Sequence, residues 1–171
     1  LNQVLTKRFL RFLNEQSKKE EDTYIEFWNE FGMLIKEGAA TDFTCKEDLA
    51  KLLKFESTAL DAGKLTGLDD YVDRMAGDQE EILFLFGKSR ESIESGPYLE
   101  ALQARGWEVL LLTEPVDEYV MQTVREYKEK KIISADSEEL KLEKLDQEKE
   151  GETLGKKEIK SLCDWLKKTL E

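Results

Sequence analysis

Histidine does not occur among the 171 residues. Its absence removes serine–histidine triads, cysteine–histidine dyads, every histidine-containing zinc site and most imidazole acid–base chemistry. Cysteine occurs twice, as Cys45 and Cys163. So distant a pair makes neither a disulfide framework nor a metal-ligand spacing, and two buried thiols in a reducing intracellular compartment are expected. No apolar run approaches the ~18 residues that a bilayer span requires. Lys7, Arg8 and Arg11 interrupt the apolar residues where a signal peptide would need them uninterrupted. A membrane partner is therefore not expected. Positive charge is also in deficit: 26 Lys and Arg stand against 38 Asp and Glu, a net charge of −12. That balance argues against nucleic acid as a partner, because such affinity comes from neutralising phosphates. The chain opens on Leu1 rather than Met, and a piece of a longer protein is expected.

Apolar residues make up 40% of the chain and include eight Phe, five Tyr and three Trp, enough for one substantial core. Within 3–18, Leu5, Phe9, Phe12 and Leu13 fall on one helical stripe. Within 22–36, Tyr24, Ile25, Phe27, Trp28, Phe31, Leu34 and Ile35 make a wider one, which Gly38 is expected to end. The two helices should pack as a hairpin around the charged turn 18–21. A short helix is expected over 46–54, carrying Leu49, Leu52 and Leu53, and another over 68–75. The periodicity then changes. The runs 82–86 (ILFLF) and 107–112 (WEVLLL) are apolar without alternation, as strands covered on both faces are. Helices at 89–95, 97–105 and 115–127 and a short strand at 131–134 complete the pattern. This order predicts an α/β fold: a three-layer α-β-α sandwich on a small parallel sheet joined by right-handed crossovers, preceded by a helical hairpin. From 136 to 158 charged residues dominate, as in a linker, and Ile159, Leu162, Cys163, Leu166 and Leu170 then share one face of a terminal helix.

Few sites stand out. Gly87-Lys88-Ser89 ends a strand and opens a helix, but a phosphate loop needs a glycine at position 82, which is Ile. A plain strand-to-helix turn is expected. Asp69, Asp70 and Asp73 suit the positive end of a helix and lack the alternating oxygen ligands of a calcium loop. The sharpest feature is 113–119 (TEPVDEY). Pro115 fits a first helical turn, with Glu114, Asp117 and Glu118 complementing the helix dipole. Tyr119 points away from Val116, Val120 and Val124, so an aromatic ring beside acids and Met121 is left to meet a flexible partner.

Three long segments, 48–58 (DLAKLLKFEST), 65–75 (LTGLDDYVDRM) and 96–119 (GPYLEALQARGWEVLLLTEPVDEY), resemble in order and spacing the ninety-kilodalton heat-shock chaperone family. The likeness covers about 3–135 closely and the terminal helix more loosely. Gly96 departs from the Ser that many members carry there, and 31–38 (FGMLIKEG) is closer to the bacterial and organellar branches. The resemblance implies a dimeric, ATP-driven chaperone, of which this chain is the later part of the middle domain and the start of the C-terminal one. It divides the chain into a helical region (1–45), an α-β-α sandwich (46–135), a charged linker (136–157) and the first helix of the dimerisation domain (158–171).

The same resemblance implies that ATP and magnesium are bound in the parent outside this stretch, so that the chain holds no cofactor and no catalytic or metal-binding residue. The arginine loop that senses the γ-phosphate lies upstream of Leu1, so no ATP hydrolysis is expected of the chain alone. In bacterial members the helix matching 116–127 presents an acid, an aromatic and an amide to bound client protein. By position these are Glu118, Tyr119 and Gln122, with Tyr where some bacterial members have Trp and Gln where they have Asn. Expected partners are partly folded client proteins, co-chaperones and, in the parent, a second subunit, in a bacterial cytoplasm or else a mitochondrion or plastid. Two other classes fit the residues without the resemblance: a small α/β domain holding a phosphorylated ligand at its strand ends, and an acidic helical adaptor docking through the terminal helix.

Overall fold

The computed structural model describes residues 2–137, Leu140 and Trp165. Leu1–Leu140 form one compact unit and Lys141–Glu171 a second. Most of the expected linker and terminal helix therefore lies outside the described residues, as does Cys163; Trp165 is helical.

Two helices open the first unit, α1 (Asn2–Lys19) and α2 (Glu21–Thr41), separated by Glu20 alone. α2 runs three residues past Gly38, whose replacement side chain would still meet only ordinary contact with Leu49. Of the stripe expected on α1, only Leu13 is buried; Leu10 joins it, while Leu5, Phe9 and Phe12 are each more than half exposed. The same selection operates on α2, where Tyr24, Trp28 and Ile35 are buried and Phe31 and Leu34 are exposed. The apolar surface of both helices is wider than the surface that this unit covers.

The next helix, α3 (Lys46–Ala50), is shorter than its leucine spacing suggests. Leu52 and Leu53 are fully buried beyond its end, and the chain continues into a strand, β1 (Lys54–Ser57). A two-residue strand, β2 (Thr66–Gly67), and α4 (Leu68–Arg74) follow. The apolar runs become β3 (Ile82–Phe86) and β4 (Val109–Leu112), connected through α5 (Arg90–Glu94) and α6 (Pro97–Gln103). Then come α7 (Pro115–Val124), β5 (Glu126–Tyr127) and β6 (Lys130–Ser134). The helix expected over 115–127 ends at Val124, and Tyr127 is buried from β5.

The six strands form one mixed sheet in the order β2-β1-β4-β3-β6-β5. Its centre is parallel, β3 pairing with β4 on one side and with β6 on the other. The outer pairings β1–β4, β1–β2 and β5–β6 are antiparallel, which widens the expected small parallel sheet into a mixed one. The step from β3 to β4 and the step from β4 to β6 run in opposite directions across the sheet. Right-handed crossovers then place α5 and α6 on one face and α7 on the other, which is how three layers arise. Side chains alternate accordingly. Ile82, Phe84, Leu110 and Leu112 join the core formed with α1, α2, α4 and α7, while Leu83, Leu85, Val109 and Leu111 turn to the opposite face. Ile93, Leu99 and Leu102 are buried on that side.

Polar ties cross the layers. The Tyr71 hydroxyl donates to the Glu108 carbonyl at 2.6 Å and accepts from Gln79 Nε2 and the Leu83 N–H, which fills its capacity. Burial pushes its ionisation well up. Arg74 grips the buried Glu108 carboxylate with Nε at 3.1 Å and Nη2 at 2.8 Å, a forked pairing that lysine does not reproduce.

Candidate functional site

α7 begins as its sequence demands. Pro115 occupies the first turn, where a missing N–H costs nothing, and Glu114 is the N-cap. The turn is closed from both sides: the Asp117 N–H donates to the Glu114 carbonyl at 2.9 Å, and Asp117 Oδ2 accepts the Glu114 N–H at 3.2 Å. Asp117 is more than a complement to the helix dipole. Its Oδ1 lies 2.7 Å from Lys36 Nζ of α2, which also donates to Glu114 Oε2 at 2.9 Å. The Lys36 ammonium sits 5.3 Å from the Phe55 ring centre and 5.8 Å from that of Trp28. Burial pushes the Asp117 carboxyl upward, and the hydrogen bond and charge of Lys36 together with the Glu114 N–H oppose it. No sequence pattern announced this group, since Lys36 and Asp117 are remote in the chain and each reads as an ordinary helix-end charge.

The latch fixes which face of α7 turns outward. Asp117, Val120, Met121 and Val124 are buried. Glu118, Tyr119 and Gln122 lie on the outer face, with the Tyr119 ring 64% exposed. Gln122 Nε2 donates to Glu118 Oε1 at 3.3 Å, so the amide and the acid are aligned along one side of the helix. Met121, expected beside Tyr119, is instead 2% exposed and belongs to the core, because its position falls on the buried arc with Asp117 and Val124. The last turn is secured twice: Thr123 Oγ1 donates to the Ala40 carbonyl at 3.2 Å, and Arg125 Nε to the Gln122 carbonyl at 2.7 Å.

The other candidates resolve into structure. Ser89 caps α5 by accepting the Ser92 N–H, and a Cβ at Gly87 would lie 2.5 Å from Ile93 Cγ1. Close packing therefore explains the glycine. Asp69 is a junction between elements: it accepts from Lys18 of α1 at 3.0 Å, from Tyr127 Oη of β5 at 2.8 Å and from Lys128 at 2.6 Å. Burial resists its charge, yet the bonds from Lys128, Lys18 and Tyr127 prevail and hold the carboxyl far below the ordinary range. Among the described residues no group of three or more His, Cys, Asp or Glu is arranged to hold a metal ion. A cleft of about 750 Å³ opens beside this junction, where Lys18, Lys46 and Lys128 face Glu47, Asp69 and Glu126, signs in balance. Cys45 is buried. No described helix is long and apolar enough to cross a membrane.

The Hsp90 protein family model matches residues 1–171. The chain belongs to the Hsp90 family. It is 45% identical over 171 residues to the chaperone protein HtpG of Desulfitobacterium hafniense, covering 99% of this chain and 28% of that protein. It is 44% identical over 160 residues to an endoplasmin homolog of Hordeum vulgare, covering 92% of this chain and 19% of that protein. The middle domain of a Plasmodium falciparum heat shock protein superposes with a TM-score of 0.73 at 27% identity, covering 80% of this chain and 57% of that one. The chain is thus a middle-domain stretch of an Hsp90 protein, with the mixed α/β sandwich of that domain. It spans about a quarter of the length of the curated HtpG relatives it matches.

Proposed function

We propose that this Hsp90 middle-domain stretch contacts partly folded client proteins through Glu118, Tyr119 and Gln122 of α7, within a chaperone that assists folding and the response to stress. One observation carries the assignment: a tyrosine ring 64% exposed on a helix whose opposite face is latched by a buried ion pair. A rigid, solvent-facing aromatic beside an acid and an amide suits weak, adaptable contact, in which the ring takes apolar side chains and the acids favour basic segments. Such sites act in number, each too weak to trap a client alone. Glu114 and Asp117 are already committed to Lys36, which leaves Glu118 as the acid available on the outer face.

ATP and magnesium belong to other parts of the parent protein in this proposal. The stretch alone turns over no ATP. Dimerisation is likewise placed outside it, in the C-terminal domain of the parent, and co-chaperones are further partners. The proposed location is a bacterial cytoplasm, with a mitochondrion or plastid as the alternative.

The test is a titration of the intact protein into a labelled, permanently unfolded model protein. Y119A combined with Q122A is expected to weaken binding by about tenfold, the scale of losing one anchoring aromatic. The melting temperature should be unchanged, because both side chains are exposed. Equal affinity for the double variant and the parent would end the assignment of this face.

A further inference from the structure

Among the large apolar side chains of the described residues, Phe43 is the most exposed, at 75%. It lies in the loop between α2 and α3, and that loop is not slack. Asp42 Oδ1 accepts the Thr44 N–H at 2.8 Å, the Thr44 hydroxyl at 2.6 Å and the Cys45 N–H at 3.3 Å, while the Asp42 N–H returns to the Gly38 carbonyl. Cys45 is buried, so the loop is pinned on both sides of the phenylalanine. An aromatic ring held outward by a fixed backbone loses little conformational freedom when it meets a partner.

The loop also has a definite neighbour. Ala40 accepts from Thr123 Oγ1 of α7 at 3.2 Å, and Lys46 Nζ donates to the Thr123 carbonyl at 3.5 Å. The residues on either side of Phe43 are therefore fastened to the last turn of α7. Tyr119 stands one turn before Thr123 on the same side of that helix, ~6 Å away. Phe43 is three residues beyond Ala40, a reach of at most ~10 Å. The two exposed residues are therefore at most about 20 Å apart by way of Thr123, a distance that an extended peptide of about six residues spans. The surroundings are acidic: Glu37 and Glu118 are exposed and Asp42 is half-buried, while the cations Lys46 and Arg125 each donate to a backbone carbonyl at the end of α7, those of Thr123 and Gln122.

We propose that Phe43 is a second aromatic contact on the same face as Tyr119, and that together they take an extended, unfolded polypeptide segment carrying basic and apolar side chains. The proposal deepens the client assignment above and rests on it for the identity of the occupant. Basic residues suit the exposed acids, and the two rings select a segment with apolar groups at both ends rather than one.

The probe is a fluorescently labelled unfolded peptide rich in Lys, Leu and Phe, titrated with the intact protein; a counterpart carrying Asp in place of Lys serves as control. F43A is expected to weaken binding of the basic peptide about fivefold, with F43L recovering part of the loss and the melting temperature unchanged. Combined with Y119A it should weaken binding further, and the acidic counterpart should bind least. If Y119A weakens binding and F43A does not, Phe43 is no contact and the client face stands without it. If F43A weakens binding and Y119A does not, the α7 assignment falls, and with it the shared face. Equal or better binding of the acidic peptide overturns the basic occupant. Full affinity in both variants overturns the two proposals together.

Discussion

Lys36 and Asp117 approach within 2.7 Å although their side chains are only 8% and 3% exposed. Removing two ions from water costs several kcal/mol each, and such a pair is retained only where geometry and further hydrogen bonds offset that cost. Here the offset comes from Glu114, from the aromatic rings beside the ammonium and from the N-cap bond that Asp117 also makes. The outward turn of Tyr119 depends on that arrangement, because Asp117 fixes the rotation of the helix two residues before it.

Breaking the pair from one side should be more damaging than softening it from the other. K36M leaves the Asp117 charge buried without a cation, and a loss of about 3–5 kcal/mol is expected in urea unfolding. D117N keeps an acceptor for the Glu114 N–H and leaves Lys36 with Glu114, so a smaller loss is expected. A loss under about 1 kcal/mol for K36M would show that the latch holds nothing, and a loss for D117N greater than that for K36M would overturn the asymmetry.

Asp69 gives the fold a dependence on acid. Its carboxyl is held below the ordinary range in the folded state by Lys128, Lys18 and Tyr127. A depressed folded value means that the unfolded chain binds the proton more readily. The stabilisation is therefore complete above the ordinary carboxylate range of about pH 4 and is lost as pH falls through it toward the depressed value. D69N removes that contribution, so its stability should fall less steeply than the parent's below about pH 4, from a lower starting point near neutrality. Most of the neutral-pH deficit should come from the Tyr127 contact, since Lys18 and Lys128 are 59% and 46% exposed and solvent screens both. Parallel acid limbs for D69N and the parent in a pH series of thermal melts would refute this.

How much of this was legible in the sequence depends on where the partner of each residue lies. β3 and β4 were readable because a strand covered on both faces needs no alternation, and Ile82–Phe86 and Val109–Leu112 contain nothing else. β1 was not, since Lys54, Phe55, Glu56 and Ser57 resemble a loop. Lys54 is nevertheless buried, its ammonium 6.0 Å from the Tyr24 ring centre and 3.8 Å from Asp70 Oδ2, partners that no local pattern could supply. The leucines of 49–53 keep helical spacing, but the chain leaves the helix at Ala50, so burial without periodicity accounts for Leu52 and Leu53. On α1 the bulk of Phe9 and Phe12 marks a stripe that includes Leu13 but not Leu10, whereas packing in this unit selects Leu10 and Leu13. The exposure of Tyr119 followed from its place off the valine stripe. Lys36, the residue that fixes it, could not be found locally: its carboxylate partners lie about eighty positions ahead.

The β5–β6 hairpin has a tight two-residue turn at Lys128 and Glu129, between the paired Tyr127 and Lys130. Both turn residues have positive φ, 47° and 63°, a conformation that suits Asn-Gly and costs an L side chain roughly 1–2 kcal/mol. For Lys128 the strain has a return, because it delivers Nζ to Asp69. Glu129 has no such contact among the described ion pairs and side-chain hydrogen bonds. E129G should accordingly raise stability by about 0.5–1 kcal/mol, whereas K128N should gain little, its easier backbone being offset by the lost ion pair. Thermal melts distinguish the two; a stabilising K128N alongside a neutral E129G would reverse the assignment.

Gly32 sets helix propensity against packing, and the distances decide between them. It is buried in the interior of α2, where glycine costs about 1 kcal/mol relative to alanine. On propensity alone G32A stabilises. A Cβ at that position, however, would lie 2.8 Å from two carbons of the Trp28 ring, inside any real contact distance. The ring is 7% exposed within the core and also faces the Lys36 ammonium, so it cannot swing aside without disturbing the latch. Overpacking of this kind costs about 1–3 kcal/mol, which exceeds the gain in propensity. G32A should therefore destabilise the protein, and W28F, with its smaller ring, should relieve most of the added cost in a double-mutant cycle. The coupling is the decisive quantity: an additive pair would mean that the methyl group never meets the ring.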